Sequence, residues 1–441
     1  KETFSFTFKP SAAGAQTLRV LYTGTYEGEE FQCAATLELK VYDAADLINV
    51  GVDHGHDNYY LSGDYAGSAG NFISFCADNG VKCSYIEAGQ FTYDNLKNYT
   101  LLVLTVPYRR NTAKATMYTE AEIAALKQYT DNGGKVILCS KSDRDNKYDN
   151  CAENSNALLT AIGAHSRIVN GIIVDNDLKA NEAYRLYLSS KENFNTGHPF
   201  TAGAYTSSNA FGTTPATDNQ TGFQLYNGGP VEVLDESKVQ VLVRGYQSTW
   251  GTHYDGYFDG SSFVPEYDES VDGRVTVKKG DVNVMTYEDL PGGGWVITSG
   301  VTFFSNYDIK SDQDYANRFI LRNILNSLKP AETVTEIADV HKAAEKEEFT
   351  VEGTVTANAS GYDKNTAFFD CIYVQDDTRG INVFPVAGNY AEGMKVRVHG
   401  GVTYYCGEIE LNLSSDYNGS IEIISDDITP LEPQLVTAKA A

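Results

Sequence analysis

Between residues 45 and 330 short, almost wholly apolar runs alternate with amphipathic segments, and this rhythm limits the available folds more than any other feature. LINVGVDH (47–54), TLLVLTVP (100–107) and KVILCS (135–140) are nearly unbroken in apolar residues. A strand with one face in water alternates polar and apolar side chains, whereas a run that is apolar throughout is covered on both faces. Between the second and third runs stands TEAEIAALKQYTDNGG (119–134), the clearest helix in the chain. Thr119 and Glu122 form a capping box, Ile123, Leu126 and Tyr129 follow at helical spacing, and Gly133 and Gly134 end it. Further helices are expected over about 65–79, in ENSNALLTAIGA (153–164) and in DYANRFILRNILNSLKP (314–330). VKCSYIEA, RIVNGIIV, KVQVLVRGY and GGGWVITSGVTFFSN read as additional strands. Such alternation predicts a mostly parallel sheet with helices on both faces.

At 441 residues the chain is too long for one core, and two or three domains are expected. Residues 1–43 hold three strand-like runs, TFSFTF (with Phe4, Phe6 and Phe8), TLRVLYTG and ATLELKVY. They resemble the closing strands of an immunoglobulin-like β-sandwich, a remnant that buries little by itself. Residues 331–427 carry long strands with internal glycines, in EFTVEGTVTA, CIYVQDDTRGINVFP and MKVRVHGGVTYYCGEIELN. Glycine permits the bends that closure needs, so a small β-barrel is predicted there. Residues 428–441 read as a linker, and both ends look cut from something longer.

Composition narrows the partners. A net charge of −25, with 34 Lys and Arg against 59 Asp and Glu, opposes the counterion release on which nucleic-acid binding depends. It suits solubility, cation binding and neutral partners such as carbohydrate. Seven cysteines without a CxxC pair fit neither a disulfide scaffold nor a thiolate zinc site. Bridges Cys76–Cys83 and Cys371–Cys406 are conceivable, the first disfavoured because a helix and the following strand seldom meet at disulfide distance. No apolar run approaches the roughly 20 residues that cross a bilayer.

The ordered pieces LINVGVDHGHDNYY, NLKNYTLLVLTVP, TEAEIAALKQYTDNGGKVILCS and GGGWVITSGVTFFSN, followed by NRFILRNIL, resemble the amidotransferase-like family of gliding-motility and intraflagellar-transport proteins, the GIFT domain. The resemblance covers roughly 45–330, although 185–290 matches poorly. It implies a flavodoxin-like α/β domain related to class I glutamine amidotransferases that have lost their chemistry. Glutamine hydrolysis needs a cysteine on a G-x-C-x-G elbow. Here Cys139 lacks both glycines and reads as a small buried residue. The 331–427 unit resembles the OB-fold modules of secreted and surface multidomain bacterial proteins. Six Lys or Arg (Lys342, Lys346, Lys364, Arg379, Lys395, Arg397) face eighteen acids there, so the phosphate-binding funnel is missing although Tyr373, Tyr404 and Tyr405 could stack.

Three groups of residues are candidates for a site. DHGHDNYY (53–60) closes the first buried strand with Asp53, His54, His56 and Tyr60, where open α/β sheets bind ligands. It reads as a structural turn in which Asp53 caps backbone amides, as a ligand site without chemistry, as a metal site, or as an acid/base pair. Against a metal, side chains at i and i+2 on a strand point to opposite faces. The loop 245–263 crowds Tyr246, Trp250, His253, Tyr254, Tyr257 and Phe258 together, as in a sugar-stacking surface, or as rings packed over a sheet. Asp143, Asp145 and Asp149 faintly resemble a calcium loop, but Lys147 stands in the middle and solvated loop is the plainer reading. VPEYDESVDG and DIKSDQD, the latter with Asp308, are comparable.

The expectation is a non-catalytic segment of an extracellular or cell-surface bacterial protein that binds carbohydrate or another surface protein. Neither nucleic acid nor a cofactor is expected; zinc is weighed only at DHGHDNYY, and a calcium ion is allowed for. The competing readings are a hydrolase built on His54, His56 and Ser299, or the accessory region of a secreted nuclease or phosphatase. A third is a structural subunit that self-assembles by accepting strands from another chain.

Overall fold

The computed structural model describes residues 14–26, 28–41, 48–62, 65–107, 117–142, 151–202, 204–205, 222–253, 256–259, 262–265, 275–310, 315–329, 333–359, 371–386, 390–414, 417, 419–425 and 428–432. These residues are mostly β, in mixed sheets and one closed barrel. Among them no helix is long and apolar enough to cross a membrane.

A nine-stranded sheet organises the central unit. In chain order its strands are β1 (Asn49–Asp53), β2 (Lys82–Ile86), β3 (Leu101–Thr105), β4 (Lys135–Cys139), β5 (Ser166–Ile168), β6 (Val231–Val233), β7 (Val239–Arg244), β8 (Asn283–Asp289) and β9 (Trp295–Ser299). They lie in the order β2-β1-β3-β4-β9-β8-β6-β5, with β7 also paired to β8. The first five are mutually parallel, and β8, β7, β6 and β5 run antiparallel to their neighbours. The expected mostly parallel sheet is thus corrected to a mixed one. Five parallel strands carry an antiparallel extension, because β9 returns through a tight Gly292–Gly294 turn from β8 rather than through a helix.

The apolar runs divide their side chains between two cores. Val50, Val52, Val103, Ile137 and Ile297 face α1 (Gly70–Asp78) and α5 (Ala316–Ser327), meeting Phe72, Phe75, Ile320 and Ile324. Leu102, Leu104, Val136, Leu138 and Val296 face α2 (Tyr93–Leu96), α3 (Glu120–Asp131) and α4 (Cys151–Ala161), meeting Leu96, Leu126, Leu158 and Leu159. Each strand therefore needs apolar side chains at odd and even positions alike. The capping box of α3 is formed as its sequence requires, with Thr119 Oγ1 accepting from the Glu122 amide at 3.3 Å.

RIVNGIIV, expected as one strand, splits at Gly171 into β5 and a short strand, Ile172–Val174. The latter pairs with Trp250–Thr252 in a three-stranded sheet. In 1–43 the described part is a two-stranded ribbon, Gly14–Tyr26 on Glu29–Val41, in unbroken register. No third described strand joins it, and the Phe4, Phe6 and Phe8 run lies outside the described residues.

The barrel has its own core, from Val351, Val355, Val374, Val383, Val398 and Leu411. Its strands are β10 (Glu348–Asn358), β11 (Ile372–Gln375), β12 (Gly380–Phe384), β13 (Lys395–Tyr405), β14 (Glu408–Asn412) and β15 (Ser420–Ser425). The order β10-β11-β12-β14-β13 closes through β13 on β10, with β12 and β14 parallel, which is the OB-like arrangement. β15 adds to β13 outside the closed ring.

Candidate functional site

In an open α/β sheet the place for a ligand is the crevice beyond the carboxyl ends of the strands, where the strand order reverses. Here the order β2-β1-β3 puts that point between β1 and β3, and DHGHDNYY begins there. After β1 the chain turns back on the sheet. Asp57 and Tyr60 take left-handed backbone conformations (φ 55° and 66°), and the Tyr59 amide donates to the Val106 carbonyl at 3.0 Å.

Asp53 is fully buried and collects donors from three directions. The Tyr118 hydroxyl donates to its Oδ2 at 2.6 Å, Asn58 Nδ2 at 2.9 Å and His56 Nδ1 at 2.9 Å, while the Gly55 amide reaches Oδ1 at 3.1 Å. Asn58 also donates to the Thr105 carbonyl at 2.8 Å, tying β1 to the end of β3. The other nitrogen of His56 faces Glu122 Oε1 at 3.2 Å, on the first turn of α3. Glu122 uses Oε2 for its own cap, accepting from the Thr119 amide at 2.8 Å and hydroxyl at 2.7 Å. The His56 ring lies 4.0 Å from that of Tyr118 and edge-on to Phe91.

Electrostatics follow from this geometry. Burial opposes a charge on His56, but the hydrogen bond and charge of Asp53, joined by those of Glu122, outweigh it and raise its pKa. Burial likewise opposes ionisation of Glu122, yet the Thr119 donors and His56 hold its pKa below the ordinary value. Burial, then the charge of Asp53, pushes the Tyr118 hydroxyl well up. His56 is thus held between two carboxylates, with Nδ1 at 2.9 Å from Asp53 and Nε2 at 3.2 Å from Glu122, and its side chain is only 5% exposed. Both ring nitrogens are engaged by neighbouring side chains.

His54 departs from this cluster. Its ring stacks on Tyr85 at 4.8 Å and its Nδ1 meets Glu87 Oε2 at 3.0 Å, both partners lying at or just past the end of β2. Tyr60 is buried against Tyr59 and Tyr65, with Lys141 Nζ above the Tyr59 ring at 5.3 Å. Ser299 ends β9, buried, its hydroxyl donating to the Val301 carbonyl at 2.7 Å. β9 is three strands from β1, about 14 Å at the usual strand spacing. His54, His56 and Ser299 do not converge on one cleft. Cys139 is fully buried at the end of β4, where burial pushes its thiol up.

The stacking surface expected at Trp250 is corrected. Trp250 is 2% exposed, enclosed by Ile172, Val174, Ala183 and Phe263. The strand Trp250–Thr252 is the middle of its small sheet, and Lys279 Nζ lies 4.7 Å from the centre of the Trp250 ring. Tyr246 is half-buried, donating to the Tyr187 carbonyl at 2.6 Å, and His253 is half-buried at the strand's end. Tyr254 lies outside the described residues, as do Asp143, Asp145 and Asp149. Among the described residues no group of three or more His, Cys, Asp or Glu is arranged to hold a metal ion.

Sequence reading missed Tyr118, Asn58 and the second role of Glu122. It also placed Asp308 among solvated loop acids. The structure buries Asp308, which accepts from the Ser305 amide at 2.8 Å, and burial raises its pKa to about 7. The spacing S-x-x-D, here Ser305 to Asp308, is the one signal that could have found that turn.

No family model matches this chain, and no curated protein matches it. Among solved structures, the mmIFT52 N-terminal domain is 14% identical with a TM-score of 0.41, over 64% of this chain and 96% of that one. A ThuA-like protein from Bacteroides uniformis is 13% identical with a TM-score of 0.33, over 64% and 92%. The OB domain of a Methanosarcina mazei protein is 16% identical with a TM-score of 0.19, over 24% and 95%. The likeness is partial and one of fold alone, to amidotransferase-like and OB-like domains, and no functional argument rests on it.

Proposed function

We propose that this chain is a non-catalytic recognition segment of a bacterial cell-surface or secreted protein, and that it binds carbohydrate on the outer face of the barrel. One observation carries the reading. Tyr373, Asn382, Glu410 and Thr403 are register neighbours across β11, β12, β14 and β13, forming a single polar row on that face. The row is about 14 Å across at the usual strand spacing. Tyr405 and Glu408 are paired beside it, and Tyr373 and Tyr405 are 36% and 61% exposed. Sugar rings offer apolar C–H faces to such phenols and hydroxyls to the exposed Glu408. The buried Glu410 accepts from the Thr403 hydroxyl at 2.9 Å and orders the row. Phosphate-bearing ligands are disfavoured, since Arg397 is already paired with Glu352 and Glu422 and acids outnumber bases in this unit.

Chemistry at the sheet edge is opposed by the engagement of both His56 nitrogens and the burial of Cys139 and Ser299. The test is a glycan array probed with the whole chain, followed by titration of Tyr373→Ala and Tyr405→Ala. Each substitution is expected to weaken binding about tenfold, the scale of one lost stacking contact. Binding to no glycan, or binding unchanged in both variants, sinks the proposal.

A further inference from the structure

We infer that Cys76 and Cys83 are a paired modification site, two thiols placed by the α1–β2 corner to close into a disulfide when a small-molecule disulfide oxidant reaches them. This goes beyond the binding reading and does not depend on it. The sequence argument against the pair was that a helix and the next strand seldom meet closely, and this corner removes it. α1 ends at Asp78 with Asn79 as its C-cap, and Gly80 turns the chain at φ 72°. The Val81 amide donates back to the Cys76 carbonyl at 2.9 Å, and the Lys82 amide enters the sheet on the Ile48 carbonyl at 2.9 Å. Three residues therefore separate the helix from β2, and Cys83 is paired in register with Val50 on the face that α1 covers.

Cys76 is fully buried in the core of that face and Cys83 packs against the same core, half-buried. The neighbouring Cys83 side chain, then burial, pushes the Cys76 thiol up. Cys76 and Cys83 are unbridged thiols in the structure. Cys139 and Cys151 are buried, and Cys33 and Cys406 are exposed.

The chemistry is ordinary thiol–disulfide exchange. The more exposed Cys83, as thiolate, attacks glutathione disulfide, forming a mixed disulfide and releasing one glutathione thiolate, which takes up a proton. Cys76 then loses its proton to solvent, and its sulfur displaces the second glutathione from Cys83. Two protein thiols are oxidised to one disulfide, and one glutathione disulfide is reduced to two glutathiones. The product ties α1 to β2. Among the described strands that one lies at the edge of the sheet and pairs with β1 alone, and it carries Tyr85 and leads into Glu87, which hold His54.

The test uses the whole chain, equilibrated in glutathione buffers of stepped ratio, quenched with iodoacetamide and digested with trypsin without reduction. Cleavage after Lys82 separates the two cysteines. A closed bridge therefore appears as one linked pair of peptides, 2 mass units lighter than the two dithiol peptides together. Hydrogen exchange of the amides of β2 is expected to slow severalfold in the oxidised protein and to stay unchanged in Cys83→Ala carried through the same buffers. Cys76 and Cys83 recovered only as separately alkylated or glutathionylated peptides at the most oxidising ratio would overturn the inference. So would a linked pair in which either is joined to a different cysteine.

Discussion

Asp53 shows how one residue decides what this sheet edge can be. It is fully buried, and that is tolerable because His56, Asn58, Tyr118 and the Gly55 amide all meet its carboxyl oxygens. Removing it leaves a buried imidazole, a phenol and an amide without their partner. Asp53→Ala is therefore expected to lower stability by about 3–5 kcal/mol, read as a fall in the urea midpoint. The pH response of the cluster has two sides. The raised pKa of His56 contributes stability that is complete below the ordinary value of 6.5 and is lost as pH rises through the raised one. The lowered pKa of Glu122 contributes stability that is present above 4.5 and is lost as pH falls through its folded value. Asp308 acts in the opposite sense. Its pKa is raised from 3.8 to about 7, so the native state holds the proton longer and stability falls as pH climbs through that window. The whole shift corresponds to roughly 4 kcal/mol. Asp308→Asn keeps an acceptor for the Ser305 amide and removes the charge. It is expected to raise the unfolding temperature clearly at pH 8 and little at pH 4. An equal gain at both pH values would mean that Asp308 is not buried as an acid.

Elements differ in how much of themselves they write into the sequence. β1, β3 and β4 were legible because each is covered on both faces and so is apolar throughout, and α3 was legible because Thr119 and Glu122 announce its start. The antiparallel extension was not. β5 and β6 are three residues each, too short for a period, and β5 was read together with Ile172–Val174, a strand of a different sheet. The site divided in the same way. Asp53 and His56 stand together in the sequence, whereas Tyr118 reaches Asp53 across 65 residues and Glu122 already had a complete explanation as a helix cap. Trp250 misled because a ring-rich loop looks alike whether its rings face water or a core. Backbone packing also sets hidden limits, and Gly300 is an example. It follows β9, and a Cβ there would lie 1.8 Å from the Gly229 carbonyl oxygen, closer than any real contact. Gly300→Ala is expected to destabilise by more than 2 kcal/mol, in the range of overpacked cores. Gly70, at the start of α1, has nothing within 4 Å of such a Cβ. Gly70→Ala, measured in the same urea titration, is expected to be neutral or to stabilise by roughly 0.5 kcal/mol.

The whole molecule holds well-filled units and one unfinished one. The central sheet and the barrel each enclose a core of fully buried side chains, whereas the Gly14–Val41 ribbon leaves Leu21, Tyr22 and Leu37 more than half exposed. Among the described residues no third strand joins it, and a two-stranded hairpin is marginal in water and offers its edges to further strands. Sedimentation velocity of the chain over a hundredfold concentration range is expected to reveal reversible association that disappears when residues 1–43 are deleted. Association unchanged by the deletion would place the contact elsewhere. Association through the ribbon would give the molecule a valence. Two copies joined at it would present two barrels at once, so a weak saccharide contact on each would be multiplied by tethering rather than by any new contact. Apparent affinity for a dense glycan surface would then climb with protein concentration, while affinity for the same sugar free in solution stayed flat.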